Sequence, residues 1–399
     1  MQGEWRSAFQ ALENFIAQNP EITIRKGITL IPKELNEGFY TVFNQVRKAF
    51  IREKTPQILI QALEVSDKYK TEAAQLMPAL EISEIKMPSK LDWMITDPLN
   101  GLIRPLRDPL FMLLKKELTL DDFEDEAARL VASYALPIIK MGYEKWLIMA
   151  IASLLKPDQA LAIPYDEMRF MCHELQPDEK KGFFDENVLE PQKLETLLLG
   201  HEGYDPSFMM SDIIVRESTH NRYIAFGADL TDCAWSAKNA TTRREWITIR
   251  SKGLESRPRL EWPSMVLYID NQPKTIGLIS DFSRFLRPDI IIECMDDPEW
   301  YEKGEMDIVQ RNYDSFKPIM GSFIVTKYPI PTQVAEALSS QKASAETAPL
   351  VENEPENQPA SFAQPEEVRN IRIVEVGFDK AALTPIIDIL VPAPEAKTE

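Results

Sequence analysis

Residues 281–327 read DFSRFLRPDIIIECMDDPEWYEKGEMDIVQRNYDSFKPIMGSFIVTK, and the fold assignment turns on them. Within the stretch, 289–294 (DIIIEC) is a β-branched run too apolar for an edge strand, which predicts a strand inside a sheet. Residues 301–316 then place Met306, Val309, Tyr313 and Phe316 at three- and four-residue steps, the spacing of one helical face. Pro318 stops that helix, and 321–328 (GSFIVTKY) reads as a further strand.

Immediately upstream, 264–270 (SMVLYID) and 274–280 (KTIGLIS) are short apolar runs separated by Asn271-Gln272-Pro273, which predicts a hairpin. The order strand, strand, strand, helix, strand is that of a mixed α/β domain with a central sheet and a crossover helix, spanning 201–335. Residues 166–200 form a connecting segment.

Residues 1–165 read as a helical domain. Trp5, Phe9, Leu12 and Ile16 share one helical face, and Phe39, Phe43, Val46 and Phe50 repeat the pattern. A long helix is expected from 58 to 77, ended by Pro78. Asp121 followed by Glu124 fits a capped start for a helix over 121–134, which Pro137 ends or bends, and 138–155 supplies another buried helix. Prolines at 88, 98, 105 and 109 predict a loop between them.

Downstream, 336–368 is rich in Ser, Ala, Gln, Glu, Asn and Pro, the composition of a disordered linker. Order resumes at 371–376 (IRIVEV) and 378–390. This C-terminal docking segment, 369–399, is too short to fold alone and must pack on the body or on another chain. The fold class is therefore α+β: a helical N-terminal half, a mixed α/β domain and a tethered C-terminal segment.

The chain of 399 residues has 45 Lys+Arg against 63 Asp+Glu, a net charge of -18. That balance argues against wholesale coating of nucleic acid or anionic membrane. Residues 238–259 run against it, with seven basic groups and two acidic ones. No apolar run approaches the roughly 20 residues of a bilayer span, so no membrane partner is expected. Met1 is followed by Gln-Gly-Glu-Trp rather than a basic region and an apolar core, and Cys172, Cys233 and Cys294 are too few and too far apart for a disulfide framework. Both features predict a cytoplasmic location.

The glycine-rich nucleotide motifs, H-E-x-x-H and G-x-S-x-G are absent. His173, His201 and His220 lack the paired spacing of a zinc site.

The text of 264–328 resembles the PD-(D/E)XK, or restriction-endonuclease-like, family. Pro288-Asp289 opens the apolar strand, Glu293 lies at its end, and a helix and strand follow. The resemblance implies a divalent cation, Mg or Mn, held by carboxylates at neighbouring strand ends and activating water for attack on phosphate. It puts Glu293 at the second acid and Asp281 at the first. In the other register Asp289 is the first acid. The family's lysine falls on Met295, which can neither carry charge nor donate a hydrogen bond, and Lys274, on the neighbouring predicted strand, is the candidate to substitute for it in space. Catalytic candidates are thus Glu293, Asp281 and Lys274, and metal-ligand candidates Asp281, Glu293 and Asp289.

Within the basic segment, Arg243, Arg244, Arg250 and Lys252 surround Trp246. Such a set suits phosphate contacts with stacking on unpaired bases. The functional expectation is a nucleic-acid-associated protein with a degenerate nuclease-like domain, binding or cleaving with metal. Its alternative is an assembly or scaffold protein, with a protein partner or self-association through 369–399.

Overall fold

The computed structural model describes residues 3–163, 190–199, 209–228, 246–248, 263–281, 284–335 and 369–391, with backbone alone at 209–210, 246–248, 278, 280–281 and 284–285. The fold is α+β, helices first and a large mixed sheet after. It divides into two units, one of residues 1–75 and 86–149, the other of 76–85 and 150–399.

The first unit is built from α1 (Glu4–Gln18), α2 (Asn36–Lys54), most of α3 (Pro56–Ala79), α4 (Ser89–Thr96), α5 (Pro98–Leu102), α6 (Arg107–Leu114) and most of α7 (Leu120–Leu154), with a small hairpin of β1 (Thr23–Arg25) and β2 (Ile28–Leu30). The apolar periodicity marks the buried faces: Trp5, Phe9 and Leu12 of α1 and Phe39, Phe43, Val46 and Phe50 of α2 are all buried. Trp5 packs on Phe50 and Phe123, and its Nε1 donates to Glu124 Oε1 at 2.9 Å. Glu124 also takes Arg6 at 2.9 Å and Lys54 at 3.0 Å, so one carboxylate of α7 ties α1 and α2 together.

Three local expectations are corrected. The proline-rich stretch is helical, because the prolines fall where no N–H donor is needed: Pro98 opens α5, and Pro109 lies in the first turn of α6. Thr119 and Asp122, not Asp121 and Glu124, cap α7, the Asp122 N–H donating to Thr119 Oγ1 at 3.2 Å. Nor does Pro137 end that helix. It deletes one backbone bond, while Val131, Ala135, Ile138 and Ile139 keep the surrounding turns buried.

The second unit adds β3 (Glu84–Lys86), β4 (Pro157–Ala162), β5 (Gln192–Lys193), β6 (Thr196–Leu198), β7 (Met209–Met210), β8 (Ile213–Glu217), β9 (Arg222–Ala228), β10 (Trp246–Thr248), β11 (Met265–Asp270), β12 (Leu278–Asp281), β13 (Arg284–Leu286), β14 (Ile290–Met295), β15 (Gly321–Thr326) and β16 (Ile371–Glu375). Among the described residues two helices belong with them, α8 (Glu305–Phe316) and α9 (Thr384–Leu390). The main sheet has eight strands among the described residues, in the order β16-β15-β14-β11-β9-β8-β4-β5. β14, β15 and β16 are parallel, and the other pairs are antiparallel. The run DIIIEC is thus an interior strand, buried along its whole length, with α8 as the crossover to β15.

The predicted hairpin does not form. β11 pairs with β9 and β14, while β12 joins a second sheet of order β10-β13-β12-β7. Packing drives the separation. Ile276, Ile279 and Leu286 press onto Val266, Tyr268 and Ile291 of the main sheet. Gly227 makes room for this, since a Cβ there would stand 2.2 Å from Ile279 Cδ1.

The C-terminal segment packs within the second unit. β16 adds the last strand beside β15, and Val374, Val376, Leu383, Ile386 and Leu390 are buried. The expected linker, 336–368, lies outside the described residues, as does most of the connecting segment.

Candidate functional site

The two acids of the central strand sit at opposite ends of the β11–β14 ladder. At its start the Asp289 N–H donates to Leu267 O at 2.9 Å, and Asp289 Oδ2 accepts from the Ile269 N–H at 2.6 Å. The side chain thus prolongs the ladder beyond the last paired residues, Leu267 and Ile290. Asp289 is fully buried.

At the other end Glu293 is 5% exposed. Its Oε1 accepts from Asn312 Nδ2 of α8 at 2.7 Å, and its Oε2 from the Ser264 N–H at 3.3 Å. Ser264 returns the contact by accepting from the Cys294 N–H at 3.1 Å. Alternation puts Ile291, Glu293 and Met295 on the face that α8 covers, where Phe316 packs with Ile291 and Val309 with Met295. A carboxylate placed there would be costly without donors, and amide donors are what it has.

Asp289 and Glu293 are four residues apart on one strand, about 13 Å at 3.3 Å per residue, beyond the span of a shared cation. The other candidates lie on different elements. The Asp281 backbone ends β12, in the second sheet. Lys274 occupies the turn Pro273–Thr275, exposed, with its Nζ 3.6 Å from Glu190. Trp246 opens β10. Arg243, Arg244, Arg250 and Lys252 lie outside the described residues. Among the described residues no group of three or more His, Cys, Asp or Glu is arranged to hold a metal ion, and no helix is long and apolar enough to cross a membrane.

What the structure brings together is Ser264, Glu293 and Asn312. The chemistry of this set is hydrogen-bond acceptance by a buried carboxylate, which fastens α8 to the sheet. Sequence reading singled out Glu293 but not Asn312, nineteen residues on in a polar stretch of α8.

A second polar residue overlooked in the sequence stands one position beyond β15. Lys327 is buried, its N–H donates to Met295 O at 2.8 Å, and its Nζ lies 5.4 Å from the Phe378 ring centre and 5.5 Å from that of Tyr328. Phe378 belongs to the C-terminal segment, so this cation–π contact joins the segment to the strand ends. At the other end of β16, Arg369 pairs with Asp314 of α8 through two bonds of 2.8 Å.

No protein-family model matches the chain, and no curated protein or solved structure matches it.

Proposed function

We propose that this is an assembly protein acting through protein–protein contacts, in which the C-terminal segment of one copy can complete the sheet of another. The carrying observation is the attachment of β16. It pairs with β15 over five registered positions, buries a row of apolar side chains, and is held at its two ends by Arg369–Asp314 and Phe378–Lys327. Yet 33 residues, 336–368, separate it from the body. A chain of that length spans up to about 110 Å when extended, so the same contacts are reachable from a neighbour. The bonding of Glu293 and Asp289 supports this reading too, since both carboxylates are engaged in holding strands and helix in place.

The test is the mass of the full chain in solution across a concentration series, beside a 1–368 truncation with and without a separate 369–399 peptide. Concentration-dependent dimers of the full chain and recapture of the peptide by the truncated body are expected. A full chain that stays monomeric throughout removes the proposal.

A second reading, a nucleic-acid-associated nuclease-like domain using Mg or Mn, is favoured by one observation. The strand bearing Glu293 is parallel to β15 and linked to it by α8, as the resemblance over 264–328 implies. Its test is plasmid nicking by the Glu293→Ala variant.

A further inference from the structure

The hairpin of β1 and β2 carries the most exposed large apolar side chain among the described residues. Leu30 is 59% exposed and Ile28 43%, and β2 pairs with β1 alone among the described residues. Strand alternation sets Leu30 and Ile28 on one face, and the register places Arg25 directly opposite Ile28 on that same face. Lys26 and Gly27 form the turn, and a side chain at Gly27 would meet nothing within 4 Å, so the tip stands in open space. Neither Arg25 nor Lys26 forms an ion pair among the described residues, and 22–33 holds three bases and no acid.

Next in exposure are Ile60, at 56%, and Leu63, at 50%, both on α3 in the same unit. Glu64 and Asp67 follow them at four-residue steps. Ile60, Leu63, Glu64 and Asp67 thus form one exposed stripe, apolar at its start and acidic at its end. Residues 56–67 hold those two acids and no base. The two surfaces match in order and in length. From Leu30 to Gly27 the hairpin runs about 10 Å at 3.3 Å per residue. From Ile60 to Asp67 the helix runs about 10 Å at 1.5 Å per residue. Each presents two apolar side chains and then charge, and the charges are opposite. Within one copy both surfaces stay exposed, so neither covers the other.

We propose that the β1–β2 hairpin of one copy docks on α3 of a second copy, with Leu30 and Ile28 against Ile60 and Leu63, and Arg25 and Lys26 against Glu64 and Asp67. The occupant is a second copy because one chain carries both halves of a complementary pair, apolar against apolar and base against acid. A net charge of -18 makes copies repel one another. A basic hairpin meeting an acidic stripe reverses that locally. This deepens the assembly reading with a surface in the helical unit. It uses no residue of 369–399, so it can fail while segment exchange holds, and the reverse.

The test is cross-linking of full-length variants. Leu30→Cys and Ile60→Cys alter exposed positions and should fold as the parent does. Mixed and mildly oxidised, they should give disulfide-linked heterodimer above its statistical share, read by mass spectrometry under non-reducing conditions. Charge variants supply the second arm. Lys26→Glu and Asp67→Lys should each weaken dimerisation about fivefold in sedimentation, the scale of an exposed pair, and the chain carrying both should recover it. A statistical cross-link pattern, or a double variant no tighter than the singles, overturns the proposal. Concentration-dependent dimers of the parent beside that result would leave segment exchange as their route.

Discussion

Asn312 donates its side-chain amide to Glu293 Oε1 at 2.7 Å, and both residues are almost fully buried. The bond spans the layer between the crossover helix and the central strand. Asn312→Ala removes a donor from a carboxylate that water barely reaches, and should cost about 1–3 kcal/mol. Urea unfolding monitored by circular dichroism measures this, and a loss below experimental error would mean that the contact is dispensable.

The same carboxylate separates the two functional readings. Under the assembly reading Glu293→Ala lowers stability, and any Mg²⁺- or Mn²⁺-dependent nicking of plasmid is the same in parent and variant. Nicking present in the parent and lost in a variant that remains folded would return Glu293 to a catalytic role.

Segment exchange can be tested by reversing charges. Arg369→Asp alone sets two acids against each other, and Asp314→Arg alone sets two bases. Mixed, the two variants regain both attractive pairs only in a heterodimer. The single variants should lose about 0.2–1 kcal/mol each, the worth of an exposed pair, and the mixture should be enriched in heterodimer by native mass spectrometry. A statistical mixture would argue against exchange through this contact.

Close packing between the sheets gives a fourth expectation. Gly227→Ala forces a Cβ to 2.2 Å from Ile279 Cδ1 and should cost about 1–3 kcal/mol. Ile279→Val removes that methyl and should recover part of the loss. Thermal melts of the single and double variants measure both effects.

The acid limb of stability follows from Glu124. Burial pushes its carboxyl up, but hydrogen bonds from Lys54, Arg6 and Trp5 outweigh this and hold it below the ordinary value of 4.5. A carboxyl held lower in the folded state contributes stability in full above its unfolded value and loses it as pH falls through the folded one. Melting temperature should therefore decline as pH drops below about 4.5, and Glu124→Gln should flatten that limb.

Much of this was legible in the sequence, and the gaps have physical causes. Apolar spacing identified the buried faces of α1 and α2 because burial there is decided within each helix. It failed at residues 88–109, where the position of each proline in a helical turn matters more than the number of prolines. The 264–280 hairpin failed because the partner of β12 is chosen by a glycine some fifty residues away that leaves room for Ile279. Glu293 stood out as an acid at the far end of an apolar run, but whether it faces a metal or an amide depends on Asn312.

The placement of β16 has a consequence for how the chain is made. β15 is buried along its whole length and forms its outer ladder with β16, so until that partner arrives it is a bare, apolar parallel edge. Residues 327–370 must be translated in between. At about 5–20 residues per second this leaves the edge open for roughly 2–9 seconds on every ribosome. Neighbouring nascent chains on one message present the same edge in the same interval, and chains cut short before 369 keep it for good. Such an edge templates pairing with whatever strand it meets, so β16 also serves as protection for β15 during synthesis.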